Sequence, residues 1–318
     1  MNLQLDDTIS VVPYSESEKE VWNDVLAKSK APIFLFNRNY MDYHSDRFSD
    51  ASLLIYRKKK PIGIFPCNSA GDTITSHGGL TYGGLIFSLD VHVSEVLEIF
   101  RKIGEYFFHL GVRKIIYKSI PYAFSSYPSG EDLYALYRMR AKIIRRDFSS
   151  IIDMKKRPKL SDSRKNTIKK ASKAGVQIRE MEDYAAFHEL LVEALSKFNV
   201  KPVHSLKEIQ HLAFNFKDVI KCFGAYLDDK LISAVLIYDF GSVVHTQYMC
   251  SSTDGRQLGA LDAILLYLIE DIYSEKEYFS FGASTEENGN VLNDGLARQK
   301  EGFGARGIVL DHYEWELI

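Results

Sequence analysis

The 318-residue chain carries one αβ unit twice. Apolar residues at helical spacing begin near Ser94 and again near Leu258, and short strands follow from Arg113 and from Glu277. Both pairs are offset by 164 residues. A period this long is a duplicated domain, since solenoid repeats run to about 20–50 residues. In each half the pattern reads β-α-α-β-β-β-α-β-α-β. Val96, Leu97, Phe100, Ile103 and Phe107 make one helix face, and Leu261, Ile264, Leu265 and Leu268 its counterpart.

The remaining elements follow from local patterns. Strands are expected at 9–12, 52–56, 62–67, 73–75, 114–118 and 142–154, with Ser15-x-x-Glu18 as a capping box opening the first helix. In the second half, strands are expected at 176–179, 219–227, 231–239, 243–250, 277–281 and 307–317. Phe187, Leu190, Leu191, Ala194, Leu195 and Phe198 form one helix face, and helices are expected over 205–216 and 291–301. The fold class is α/β (α+β): two tandem domains, 1–154 and 155–318, each a mixed, mostly antiparallel sheet flanked by helices. The boundary is set where composition turns to a basic run, and the last strand has the option of pairing back onto the first domain.

Composition narrows the function classes. Lys and Arg number 40 against 42 Asp and Glu, a net charge of −2, so no global field draws the chain to nucleic acid or membrane. The longest apolar run, near Ile264–Ile269, is far short of the ~20 residues of a membrane helix. Cys67, Cys222 and Cys250 show no paired spacing and read as reduced thiols. Met1–Ser10 has acids and no basic stretch, so no signal peptide is expected, and the expected location is cytoplasmic. Asp42, His44 and Asp46 have metal-capable side chains at no ligand spacing, and no metal is assigned.

Three stretches carry candidate chemistry. Tyr278–Phe281 reads as a buried strand ended by Gly282, followed by a small, polar loop through Asn290 and a helix closed by Gly302 and Gly304. The run 155–173 holds nine Lys or Arg against Asp162. Ser76–Leu85 is a glycine-rich loop. The pattern Phe-Gly-x-Ser-x-Glu-x-x-Gly-x-x-Leu-x-x-Gly-Leu-x-x-x-Lys-x-x-Phe-Gly-Ala resembles the end of a GNAT-type acyltransferase domain. More narrowly, it resembles the two-domain branch related to Fem-type aminoacyltransferases, with members in bacterial surface-polysaccharide gene sets. Ser163–Val176 is similar to the basic helix opening that branch's second domain, and Ser76–Leu85 to its first-domain loop.

The resemblance implies an N-acyltransferase that moves an acyl group, acetyl by first expectation, from acyl-CoA to an amine of a sugar or cell-envelope precursor. A Fem-like aminoacyltransferase using aminoacyl-tRNA and a peptidoglycan precursor is the alternative, and a non-catalytic binding protein the third reading. It implies donor binding at Ser251, Arg256, Gln257, Leu258 and Gly259, where Arg256-x-x-Gly259 keeps half of the diphosphate motif and Leu261 replaces its small residue. Glycines and a helix start suit a diphosphate because bare backbone N–H groups meet the oxygens. Catalytic candidates are Glu286 as base, Tyr248 as acid, and His245; strand alternation would put His245 and Gln247 on one face and Tyr248 on the other. Acceptor-binding candidates are Ser76, His77 and Tyr82 in the first domain, with Arg164, Lys169, Asn293 and Lys300 in the second. No membrane insertion is expected.

Overall fold

The computed structural model describes residues 8–197 and 199–318. Phe198 and residues 1–7, on which two of the expectations above fall, lie outside that range. The chain divides into two compact units: residues up to Asp147 together with Val309–Ile318, and Phe148–Ile308. The units divide at 147/148 where 154/155 was expected, and the last strand, Arg306–Glu316, belongs to the first unit from Val309 on. Both ends of the two halves are long strands of alternating pattern, and alternation does not say which neighbour a strand will choose.

In the first unit, strands Ile9–Pro13, Leu53–Arg57, Lys60–Phe65 and Ile86–Phe87 pair antiparallel in that order. Lys114–Lys118 pairs parallel with Thr73–Thr75 on one side and antiparallel with residues 312–316 on the other. Helix Val93–His109 buries Val96, Ile99, Phe100, Ile103 and Phe107 against this core. Trp315, from the chain's last strand, lies in the same core, its ring centroid 5.6 Å from that of Phe100. Gly104 permits this approach, since a Cβ there would sit 2.8 Å from the indole.

The second unit is a sheet in the order Gln177–Met181, Ile220–Leu227, Lys230–Asp239, Val243–Ser251, Tyr278–Ala283, then residues 149–153. All pairs are antiparallel except Val243–Ser251 with Tyr278–Ala283. Helices Tyr184–Ser196 and Leu206–Asn215 precede the meander, the second opened by a capping box of Ser205 and Glu208. Ser15 makes no such cap; its hydroxyl bonds the side chains of Ser17 and Glu18 and no helix N–H. The helix expected from Leu258 starts earlier, at Thr253, breaks at Gly259 (φ 75°) and resumes as Ala260–Tyr267. Residues 285–286 and 291–292 pair as a small hairpin, so the following helix is only Asp294–Glu301.

Trp315→Ala should cost about 3–5 kcal/mol. In urea unfolding followed by probes in each unit, the loss should appear in the transition of residues 8–147, although Trp315 stands beside the C-terminus of the second half of the sequence.

Candidate functional site

The two parallel strands of the second unit pair for only three residues: Val243 with Tyr278, Val244 with Phe279, and His245 with Ser280. Beyond that pair they part. The vertex is locked by side chains, with His245 Nδ1 3.0 Å from Ser280 Oγ. On one arm the strand Tyr278–Ala283 bulges between Ser280 and Gly282. On the other, Leu236 pairs with Tyr248 and Ile237 with Thr246, so Gln247 is the extra residue of a bulge. The bulge resets the alternation. Tyr238, Leu236 and Ala234 share a face, and their partners His245, Tyr248 and Cys250 therefore share it too. Ile237 and Val235 face the helix Ala260–Tyr267, and their partners are Thr246 and Met249. His245 and Tyr248 are thus on one side, contrary to the expectation from simple alternation.

A cavity of about 350 Å³ opens in this splay. Met249, Cys250 and Ser251 line it from one strand and Phe281 from the other. Leu261, Leu265, Leu296, Phe303 and the end of helix Tyr184–Ser196 complete an apolar wall, with Arg256, Gln299 and Lys300 as polar members. Lys300 is 2% exposed. Its ammonium donates to Gly282 O (2.9 Å), Ala283 O (2.7 Å) and Ser284 Oγ (2.8 Å). Those three bonds use all three donors of an ammonium, so Lys300 latches the diverging strand and holds no donor for a substrate. Burial lowers its pKa to about 8, and it stays largely charged at neutral pH.

The remaining second-unit candidates divide. Arg256 is exposed at the cavity, its guanidinium bonded to Ser251 O at 2.9 Å. Ser251 is buried, its hydroxyl 2.8 Å from Ser233 Oγ. Gln257 is exposed within helix Thr253–Leu258, and Leu258 packs on the core. Gly259 does not face open space: a Cβ there would lie 2.2 Å from Thr167 Cγ2 of helix Asp162–Lys173. Its N–H is already bonded to the carbonyls of Arg256 and Gly255. Arg164, from that covering helix, pairs at 2.6 Å with buried Asp262, so it is a packing cation and not a free phosphate ligand. Lys169 is exposed. The helix start where backbone N–H groups were expected to meet a diphosphate is therefore closed by Thr167 and carries a carboxylate.

Tyr248 has a partner that the sequence reading missed: His204 Nδ1 stands 2.7 Å from its hydroxyl. The Ser205–Glu208 capping box was the available signal, because it places His204 immediately before a helix. Burial raises the pKa of Tyr248, so the phenol is protonated at neutral pH. His245 is buried and its pKa is lowered to about 4, by desolvation and then by the Lys300 charge. It is neutral and enclosed at the vertex, which makes it a lock for the strands rather than a proton carrier. Glu286 is exposed and accepts from Asn293 Nδ2 at 2.8 Å, while Asn293 Oδ1 caps Leu296 N of the cavity helix. Both polar ends of Asn293 are thereby used.

In the first unit, the strands Thr73–Thr75 and Lys114–Lys118 also pair in parallel for three residues. There the glycine-rich loop occupies the gap. Ser76 N bonds Ile116 O, Gly83 N bonds Lys118 O at 3.0 Å, and Lys118 Nζ donates to the carbonyls of His77 and Leu80. A Cβ on Gly83 would fall 1.8 Å from the Ser76 carbonyl oxygen. Ser76, His77 and Tyr82 are all buried, while Gly78, Gly79 and Thr81 face solvent. The three side chains expected to bind substrate instead support the loop. Among the described residues no group of three or more metal-ligating side chains comes together, and no helix is long and apolar enough to cross a membrane.

No protein-family model matches the sequence, and no curated protein matches it. Solved structures do resemble the chain. FemX superposes with a TM-score of 0.68 over 97% of each chain at 10% identity. The C-terminal domain of a putative lysylphosphatidylglycerol synthetase from Agrobacterium fabrum gives 0.63 over 95% of this chain and 92% of that one, at 9% identity. A tandem GNAT protein from the clavulanic acid biosynthesis pathway gives 0.51 over 98% and 99%, at 11% identity. The chain has the GNAT-like, Fem-type fold.

Two measurements follow from this geometry. Lys300→Met strands three acceptors and should cost roughly 3 kcal/mol, read by thermal or urea unfolding at pH 7. His245 sets a pH dependence. As pH falls below about 6.5 the unfolded imidazole takes a proton that the folded one refuses until about 4, so stability falls across that window. The loss attributable to His245 is about 3 kcal/mol between pH 7 and 4. His245→Gln should be less stable at pH 7, yet lose less stability than the native chain on acidification to pH 5.

Proposed function

We propose that the chain is an N-acyltransferase that takes its acyl group from acyl-CoA, acetyl-CoA being the first candidate, and passes it to an amine of a sugar or cell-envelope precursor. The open splay of the second unit carries this reading. Its apolar walls suit the thin pantetheine arm and acyl group, and its volume falls in the ordinary range for a small-ligand site. Two cations line it, Lys300 in the wall and Arg256 at the surface. They favour a donor with anionic phosphates and disfavour the free ammonium of an aminoacyl ester. The Gln247 bulge takes a peptide unit out of the ladder beside the cavity, a source of a main-chain N–H for the carbonyl oxygen as it becomes tetrahedral.

In the proposed chemistry the acceptor amine attacks the thioester carbonyl, the C–S bond breaks, and the amine loses a proton. Tyr248 gives a proton to the leaving thiolate, with His204 orienting its hydroxyl. Glu286, held by Asn293 next to the cavity helix, takes the amine proton. The exposed backbone of Gly78, Gly79 and Thr81 is the proposed acceptor contact of the first unit.

A Fem-like aminoacyl transfer is the second reading. It is favoured by the closed helix start at Gly259, where a CoA diphosphate would otherwise sit. Calorimetry with acetyl-CoA separates the two. Binding should be measurable, and Leu261→Trp, which fills the cavity, should weaken it at least tenfold with the fold retained. Tyr248→Phe should leave donor affinity in place and lower kcat by about a hundredfold, with Glu286→Gln acting similarly. A thermal shift with aminoacyl-tRNA and none with millimolar acetyl-CoA reverses the assignment in favour of aminoacyl transfer. No shift with either leaves a binding protein.

A further inference from the structure

Helix Asp162–Lys173 has two faces of different use. Arg164, Thr167, Ile168 and Ala171 recur at spacings of three and four and point inward. Ala171 is fully buried, Ile168 packs on the core, Arg164 pairs with Asp262, and Thr167 covers Gly259. The outer face carries Lys165, Lys169, Lys170 and Lys173, all exposed. Lys165, Lys169 and Lys173 stand one above the other at intervals of four residues, about 6 Å each along the axis.

This row is not the mixed charge that keeps an ordinary surface soluble. Helix Val93–His109 pairs Arg101 with Glu98 and Glu105, and helix Asp294–Glu301 pairs Arg298 with Asp294. Of the four lysines on the outer face of the basic helix, only Lys165 has a carboxylate, Asp162 at 2.9 Å. Among the described residues no acid pairs with Lys169, Lys170 or Lys173, and like charges at four-residue spacing weaken a helix. Exposed Lys155, Lys156 and Lys159 lie just before it.

We propose that this face is a docking surface for an anionic phospholipid bilayer. Charge complementarity identifies the occupant. The free cations are lysines, point charges suited to a diffuse layer of headgroups, while Arg157 and Arg164, the residues with planar forks for individual phosphates, are spent on Glu270 and Asp262. No aromatic side chain stands on the helix to stack bases or to sink into the bilayer, so the contact is electrostatic and superficial. With a net charge of −2, the rest of the molecule gives no general attraction, and the face orients the protein on the surface. This inference is independent of the acyltransferase reading.

The test is co-sedimentation of the full chain with vesicles of phosphatidylglycerol and phosphatidylcholine, against pure phosphatidylcholine vesicles. Binding is expected to the anionic vesicles only, and to disappear at 0.5 M salt. Lys165, Lys169, Lys170 and Lys173 changed together to Gln should weaken it at least about a hundredfold while the unfolding temperature stays within a few degrees. Absence of binding by the native chain overturns the proposal, as does binding that the fourfold variant retains. Lysine-dependent binding of bulk tRNA without vesicle binding assigns the face to nucleic acid instead and equally overturns it.

Discussion

The separation of two parallel strands is the constraint on which the second unit's site depends. A sheet closes its ladder wherever it can, because unpaired N–H and C=O groups are costly. Keeping a gap therefore requires groups that hold both arms. His245 and Ser280 bond across the last paired position, so parting begins there and not one residue earlier or later. Lys300 then gathers the backbone carbonyls of Gly282 and Ala283. Those carbonyls would otherwise seek a ladder partner. Gly282, at φ 73°, permits the turn away, and its missing side chain leaves room for the imidazole 3.2 Å from where a Cβ would lie.

The first unit shows what the same topology does without such a device. It too begins with three parallel pairs, but its gap is filled by its own chain. Gly83 and Gly84 are required by contact and not by turn geometry alone, the second lying against the Tyr117 ring. A loop built to fit that closely is a plug, and Lys118 pins it from beneath. Two copies of one architecture thus separate into a filled and an open version, decided by a few glycines and by where one buried lysine reaches.

Much of this architecture was legible. Helical periodicity placed Val93–His109, and apolar strand runs with Asp228, Asp229 and Gly241 at the turns placed the meander of the second half, each within a residue or two. The unit boundary was not legible, because residues 149–153 and 312–316 carry strand patterns that either unit could accept. The bulge at Gln247 was invisible for a related reason: an inserted residue changes which face each neighbour takes but leaves composition untouched. Lys300 lies in the Gly-Leu-x-x-x-Lys stretch of the second half, where sequence alone suggests a ligand contact. A lysine's charge suggests exposure, and only three-dimensional placement shows that its three protons are already taken.

Gly259 shows how one residue type supports opposite readings. A glycine at a helix start suits either a diphosphate or a close neighbour, and the sequence around it is the same in both cases. Here the neighbour is Thr167, and Asp262 brings a carboxylate into the first turn of the next helix. That carboxylate would repel a phosphate, but it offers Arg164 an anchor. The basic helix is therefore held by its arginine and its small residues, and its lysines are left outside. Had the helix served a diphosphate at that point, its inner face would carry the free cations; instead its inward cation, Arg164, is paired with Asp262, and Lys169, Lys170 and Lys173 are exposed on the outer face. Donor phosphates, in the acyl-CoA reading, must accordingly follow the cavity's Arg256 side, away from the covered helix start.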